Sequence, residues 1–386
     1  MKSPAVSAVT HWGFVLTGIV TTMLGPLLPA LAARWALSDE RAGYLFAAQF
    51  LGALGSTLGS GFLYARAGFL ETMSAGFVCM AVGVALLGGP WWMGLSAAAV
   101  WGVGIGLVVP ASNLLMAAMT AKHGAAAALN WLNMFWGAGA VSAPLLIAMV
   151  LHAGRLATFL LGFAAILVGT ALTAWLFRRK TEGSPPFHEA ASAGATLVPP
   201  VGSIAALTAA LLFLYVGVES GIAGWMPSFT MRAFRLGESE RAVAQSVFWG
   251  ALLMGRLVAP ILLKRLSGSG LIVMGSTLSF AALVTVLLTS RLAFVLAGAG
   301  LAGAGLAAIY PTAIAIYSTR YAVSPPPNAG FVFAAGALGG AILPWLVGTI
   351  STGFQDLRAG MLLPLACLAL MTAVQLRIRH RIRASP

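Results

Sequence analysis

Residues Leu211–Phe229 read LLFLYVGVESGIAGWMPSF. An apolar helix of about 20 residues, rising about 1.5 Å per residue, is what it takes to cross a hydrocarbon core about 30 Å thick. One acid interrupts the run. Glu219 sits near its middle, with Tyr215 one turn before it, Ser220 beside it and Trp225 six residues on. An ionised carboxylate at that depth costs at least about 2.5 kcal/mol on insertion scales, so such a residue ordinarily faces a cavity or a partner. The structural alternative is a protonated carboxyl hydrogen-bonded to a neighbouring helix. Of the nine Asp and Glu in the chain, the other eight fall in loops or at expected helix ends.

The rest of the chain shares this character. Its 386 residues are 60% hydrophobic and 8% charged, against about 25% charged in an ordinary soluble domain. No soluble core could hide that much apolar surface, so the composition implies a polytopic membrane protein. The formal charge of +13 does not mark a nucleic-acid binder, because the basic residues form short clusters between apolar runs. Cys79 and Cys367 each lie inside an apolar run, with no spacing that suggests a metal site or a disulfide. The first apolar run, from about Trp12 to Ala33, is too long for a signal-peptide core of about 7–15 residues and is read as a retained span.

Cutting at charges, Pro and Gly predicts twelve spans. The first six cover 11–33, 42–64, 69–89, 92–119, 125–152 and 155–178. The second six cover 202–231, 241–264, 269–289, 292–319, 326–351 and 358–377. This sets out an N-terminal six-helix bundle (1–178), a Ser-, Gly- and Pro-containing cytoplasmic linker (179–200), a C-terminal six-helix bundle (201–378) and a basic cytoplasmic tail (379–386). With an even number of spans both termini share one side. That side collects thirteen Lys and Arg against eight on the other, which places the termini in the cytoplasm and leaves Arg256 inside a span.

The two halves repeat. Pro29 matches Pro227, and Gly52-Ala53-Leu54 matches Gly250-Ala251-Leu252, both at an offset of 198. Gly102, Gly104 and Pro110 match Gly303, Gly305 and Pro311 at 201, and Gly139 and Pro144 match Gly339 and Pro344 at 200. Gly and Pro are common in membrane helices, but four spans near one offset argue for a parallel six-plus-six repeat. The same offset pairs Glu219 with Thr21, so the halves differ chemically.

Twelve spans in two halves about a central linker resemble the major facilitator superfamily. The loop between spans 2 and 3 carries part of that superfamily's G-x-x-x-D-R-x-G-R-R pattern: Gly61, Arg66 and Gly68 fit, whereas Ala65, Phe69 and Leu70 replace the Asp and the last two basic residues. The resemblance implies that Gly61, Arg66 and Gly68 belong to a gating loop. Tyr215-Val216-Gly217-Val218-Glu219 with Gly224-Trp225, and Leu129-Asn130-Trp131-Leu132-Asn133 with Gly137, Gly139 and Pro144, are similar to the seventh and fifth spans of the fucose–galactose–glucose:proton symporter family. Spans 1 and 4 lack the acids expected of fucose permeases. Proton coupling, if this chain has it, therefore falls to Glu219.

The resemblance implies that spans 1, 4, 7 and 10 line a central cavity. A sugar needs flat apolar surface for its C–H face and amide or carboxylate groups for its hydroxyls, since each buried unpaired hydroxyl costs about 1–3 kcal/mol. The candidate substrate residues are Thr21, Asn113, Asn133, Tyr215, Glu219, Trp225 and Tyr310. The expected activity is secondary active transport of a small polar solute, a sugar, across the inner membrane by alternating access. Export of amphipathic drugs, metabolites or lipids is the alternative. Neither HExxH, GxSxG, paired-acid spacing nor an ATP-binding loop is found, so no enzyme, cofactor or metal is expected. The expected partners are the solute, a proton or sodium ion and the lipid bilayer, without nucleic acid, for a chain acting as a monomer.

Overall fold

A computed structural model describes residues 4–120, 125–178, 202–320 and 329–384. The expected linker over 179–200, and Lys2 and Lys122 among the bases counted above, lie outside these residues. The described chain is helical throughout, with no strand, and holds twelve helical segments long and apolar enough to cross a membrane. Helices suit hydrocarbon because they satisfy their backbone N–H and C=O groups within their own segment. The protein is an all-α membrane protein.

The elements before the linker are α1 (Pro4–Thr22), α2 (Leu24–Arg34), α3 (Asp39–Ala67), α4 (Phe69–Leu86), α5 (Trp91–Thr120), α6 (Ala125–His152) and α7 (Leu156–Leu176). After it come α8 (Ser203–Phe234), α9 (Glu238–Leu262), α10 (Gly268–Leu288), α11 (Leu292–Leu306), α12 (Ile309–Arg320), α13 (Ala329–Phe354) and α14 (Leu357–Ala384). The last helix carries on through the basic residues Arg377, Arg379 and Arg381.

Two of the expected continuous spans are each broken into two helices, and proline explains both breaks. Pro26 has no N–H for the Thr22 carbonyl and its ring crowds that carbonyl, so the first span divides at Met23. Pro311 stands in the same relation to Ala307, and the tenth span divides there. Its sequence counterpart Pro110 leaves α5 unbroken.

The described residues form two compact units. The first holds residues up to Leu24 and from Ala48 to 178, and the second holds Gly25–Ala47 together with residues from 202 onward. In the first, α1 packs on α5 and α6, and α4 packs on α5 and α7. In the second, α8 packs on α13 and α14, α9 on α11, and α10 on α11 and α14. Small residues set these contacts, as expected where hydrocarbon offers no hydrophobic drive between helices.

The repeat read from sequence reappears as matched close approaches inside each unit. A Cβ on Gly102 would strike the Gln49 carbonyl, and one on Gly303 would strike that of Phe248. Gly139 lies against the Val15 carbonyl as Gly339 lies against that of Phe213.

The start of α3 is anchored within the second unit. The Asp39 carboxylate, 8% exposed, accepts two hydrogen bonds from Arg232 at 2.6 and 2.5 Å and one from Ser351 Oγ at 2.5 Å. The Glu40 amide donates to Thr352 Oγ1 at 2.9 Å, and the Tyr44 ring stacks on Trp345.

Candidate functional site

Tyr215 and Glu219 are four residues apart and so share a face of α8. The Tyr215 hydroxyl donates to Glu219 Oε1 at 2.9 Å. Arg256, from α9, brings Nη2 to 3.8 Å from the same oxygen. That is ion-pair range but too long for a hydrogen bond. Tyr310, at the start of α12 just past the break at Ala307, tilts against the Tyr215 ring with centroids 5.7 Å apart. Arg256 lies in electrostatic reach of both tyrosines as well as of Glu219.

Helix packing places these groups. Gly255 allows α9 to approach the tenth span where it breaks, because any side chain there would meet the Ala307 methyl. Gly303 brings α11 down onto the α9 backbone at Phe248. Arg256 is thereby carried up to Glu219 and Tyr310 together. Alone in hydrocarbon, either charge would cost about 2.5–3.5 kcal/mol; together they offset part of that cost.

The pair is not saturated. The side chains of Glu219 and Arg256 are 14% and 28% exposed, and the buried Arg256 Nε has no hydrogen-bond partner. A planar guanidinium with a spare donor, a carboxylate able to take a proton and two phenols form a compact polar site in an apolar bundle. This arrangement can hold a proton, exchange one ionic partner for another, and hydrogen-bond a hydroxylated solute.

The remaining expected site residues are placed differently. Trp225 is fully buried and its indole N–H donates to the Pro344 carbonyl at 2.8 Å, so its ring packs between helices and offers no exposed face. Thr21, Asn113 and Asn133 belong to the other unit. Each donates to the carbonyl four residues back in its own helix, at 2.7, 2.8 and 2.8 Å respectively, and Asn133 is exposed. Thr21 is also tied into the packing through its backbone: Gln49 Nε2 donates to its carbonyl at 3.2 Å while Gln49 Oε1 accepts from Trp101.

In the span 2–3 loop, Gly68 has φ of 103°, a backbone state that favours glycine, and it caps α4. Arg66 lies 4.0 Å over the Phe62 ring, and Gly61 is an interior residue of α3. Among the described residues no three His, Cys, Asp or Glu gather as a metal site.

Arg256 is not among the residues the sequence singles out, although a second charge of opposite sign, inside the span after that of Glu219, is a usable signal. What the one-dimensional reading lacked was the face of α9 that turns toward Glu219.

Comparisons with known proteins agree with this architecture. The chain is similar in structure to a bacterial homolog of the human lysosomal transporter Spinster in its inward-facing, unoccupied conformation, with a TM-score of 0.81, 15% identity and 98% of each chain covered. It is also similar to the transporter FucP in the outward conformation, with a TM-score of 0.65, 16% identity, and 96% of this chain and 98% of that one covered. In sequence it is 26% identical over 136 residues to the glucose/mannose transporter GlcP of Bacillus subtilis (strain 168), a match that spans 35% of this chain and only 33% of that protein's length. The family model described as Major Facilitator Superfamily matches residues 10–349, and the chain belongs to that superfamily.

Proposed function

We propose that this major facilitator transporter moves a small, hydroxyl-rich solute of the sugar class across the inner membrane by alternating access, coupled to protons through Glu219. The observation that carries this reading is the half-buried Tyr215–Glu219–Arg256–Tyr310 group, a carboxylate set beside hydrogen-bonding groups within a membrane-spanning helix bundle. The partial sequence match to a glucose/mannose transporter supports the sugar class. The excess of Lys and Arg on one side supports cytoplasmic termini. Thr21, Asn113 and Asn133 are also proposed as solute residues, and Gly61 and Arg66 near the end of α3, with Gly68 at the start of α4, as the gating segment.

Coupling follows from charge. With Glu219 ionised, Glu219 and Arg256 compensate one another. Protonation leaves the cation unbalanced and alters what the site binds best, which links proton occupancy to solute occupancy. The test is uptake of labelled fucose, galactose, glucose and glucuronate into proteoliposomes, with inward proton or sodium gradients or with none. Accumulation of one of these under a proton gradient, with its pH dependence abolished in Glu219→Gln, is the expected result. Uptake that keeps its full pH dependence in Glu219→Gln overturns the role of Glu219. If none of the four moves under any gradient, the sugar reading fails and the amphipathic-exporter alternative takes its place.

A further inference from the structure

We infer that the solute carries a carboxylate, and that Arg256 is the residue that receives it: the substrate class is a sugar acid. This inference rests on the proton-coupled reading of the same site and narrows it. A neutral hexose would need hydrogen-bonding groups alone, and a guanidinium at membrane depth is a costly way to supply them. The geometry favours an anion. The Arg256 fork is presented by the Gly255 contact with Ala307, its Nε is buried and unpartnered, and its carboxylate neighbour is held at 3.8 Å rather than in a bidentate pair. By contrast, Arg232 grips Asp39 with two hydrogen bonds at 2.6 and 2.5 Å. The Arg256 site is short of one planar acceptor, and a carboxylate matches an arginine fork in shape and charge.

The titratable and charged groups facing Arg256 are Tyr215 and Glu219 from α8 and Tyr310 from α12. Glu219 and a substrate carboxylate compete for the guanidinium. When Glu219 takes up a proton from water on the side to which the site is open, it ceases to be a counter-ion and the solute carboxylate replaces it beside Arg256. Release on the other side runs in reverse: the acid leaves, the proton passes from Glu219 to water and the internal pair re-forms. One proton and one monoanion cross per cycle, so no net charge moves. A neutral sugar carried with one proton would move one positive charge.

The experiment uses the full-length protein in proteoliposomes with labelled glucuronate, galacturonate and gluconate beside glucose, galactose and fucose, at a fixed inward proton gradient. Membrane potential is set by potassium and valinomycin. The expected result is accumulation of an acid at a rate unchanged by an inside-negative potential. Arg256→Gln should abolish that accumulation, and Arg256→Lys, which keeps the charge and loses the fork, should raise the apparent KM at least about tenfold. The wild-type potential measurement stands even if a variant fails to fold. Neutral sugars accumulating, with acids neither transported nor competing, overturns this inference and leaves the proton–sugar reading in place. Acid uptake accelerated by inside-negative potential, or retained in full by Arg256→Gln, also overturns it. Failure of every acid and sugar to move overturns both.

Discussion

Glu219 stands out in the sequence because a single acid in an apolar run calls for a partner or a cavity, and the structure sets Tyr215 and Arg256 beside it. Tyr215 was legible for a similar reason, being one helical turn away on the same face. Trp225, in the same motif, was not. Its reading as a solute platform depended on which side of α8 faces inward, and packing decides that: the indole N–H found the Pro344 carbonyl and the ring went fully into the core. The Tyr215 hydroxyl gives a direct check on the site. Tyr215→Phe removes the 2.9 Å donor to Glu219 and leaves the ring's contact with Tyr310 in place. We expect a loss of about 1–2 kcal/mol in resistance to SDS unfolding, between the usual worth of a membrane hydrogen bond and that of one to a charged acceptor. Gradient-driven accumulation should fall more than facilitated exchange, measured side by side in the same vesicles.

At the scale of helices, the sequence located spans well because apolar length is a one-dimensional property. It missed the breaks at Met23 and Ala307 because a proline affects the carbonyl four residues earlier and neighbouring helices decide whether a full break results. The α9–tenth-span contact is where this matters for the site. Gly255→Val would push against the Ala307 methyl and the nearby Ala304 backbone, moving α9 outward and drawing Arg256 away from Glu219. The expected outcome is a protein that still inserts but has lost at least about 90% of gradient-driven uptake, as a displacement near 1 Å commonly costs a functional site about a hundredfold. The Asp39 anchor makes a separate prediction about stability. Arg232 is 45% exposed and Asp39 only 8%, so the two partners are not equivalent. Arg232→Ala strands a buried carboxylate and should destabilise by about 1–3 kcal/mol, whereas Asp39→Asn leaves an arginine that water can solvate and should cost less. Thermal unfolding in detergent of the two variants gives the order, and the reverse order would show that the carboxylate is hydrated in solution.

Across the whole molecule, the repeat survives in the backbone and is abandoned in the chemistry. Matched glycines hold matched helices in each unit, yet the offsets that pair them put Thr17, Thr21, Leu58 and Val109 where the second unit has Tyr215, Glu219, Arg256 and Tyr310. Backbone symmetry was legible because close approach leaves few options beyond glycine; the asymmetry became interpretable only once the four side chains were seen together. It follows that a carboxylate alone does not transplant the function. In the double variant Glu219→Gln, Thr21→Glu, the new acid would stand in a half whose sequence counterpart of Arg256 is Leu58, so the repeat supplies no matching guanidinium to compensate it. We therefore expect the double variant to remain as uncoupled as Glu219→Gln alone, with uptake insensitive to the proton gradient. It should also be less stable than that single variant by about 2.5–3.5 kcal/mol, the cost of an unpaired charge at membrane depth. Parallel uptake and unfolding measurements on the single and double variants test both expectations. Recovery of gradient-driven uptake by Thr21→Glu would show that proton coupling needs only a carboxylate at midplane depth in either half, and that Arg256 serves the solute and not the proton.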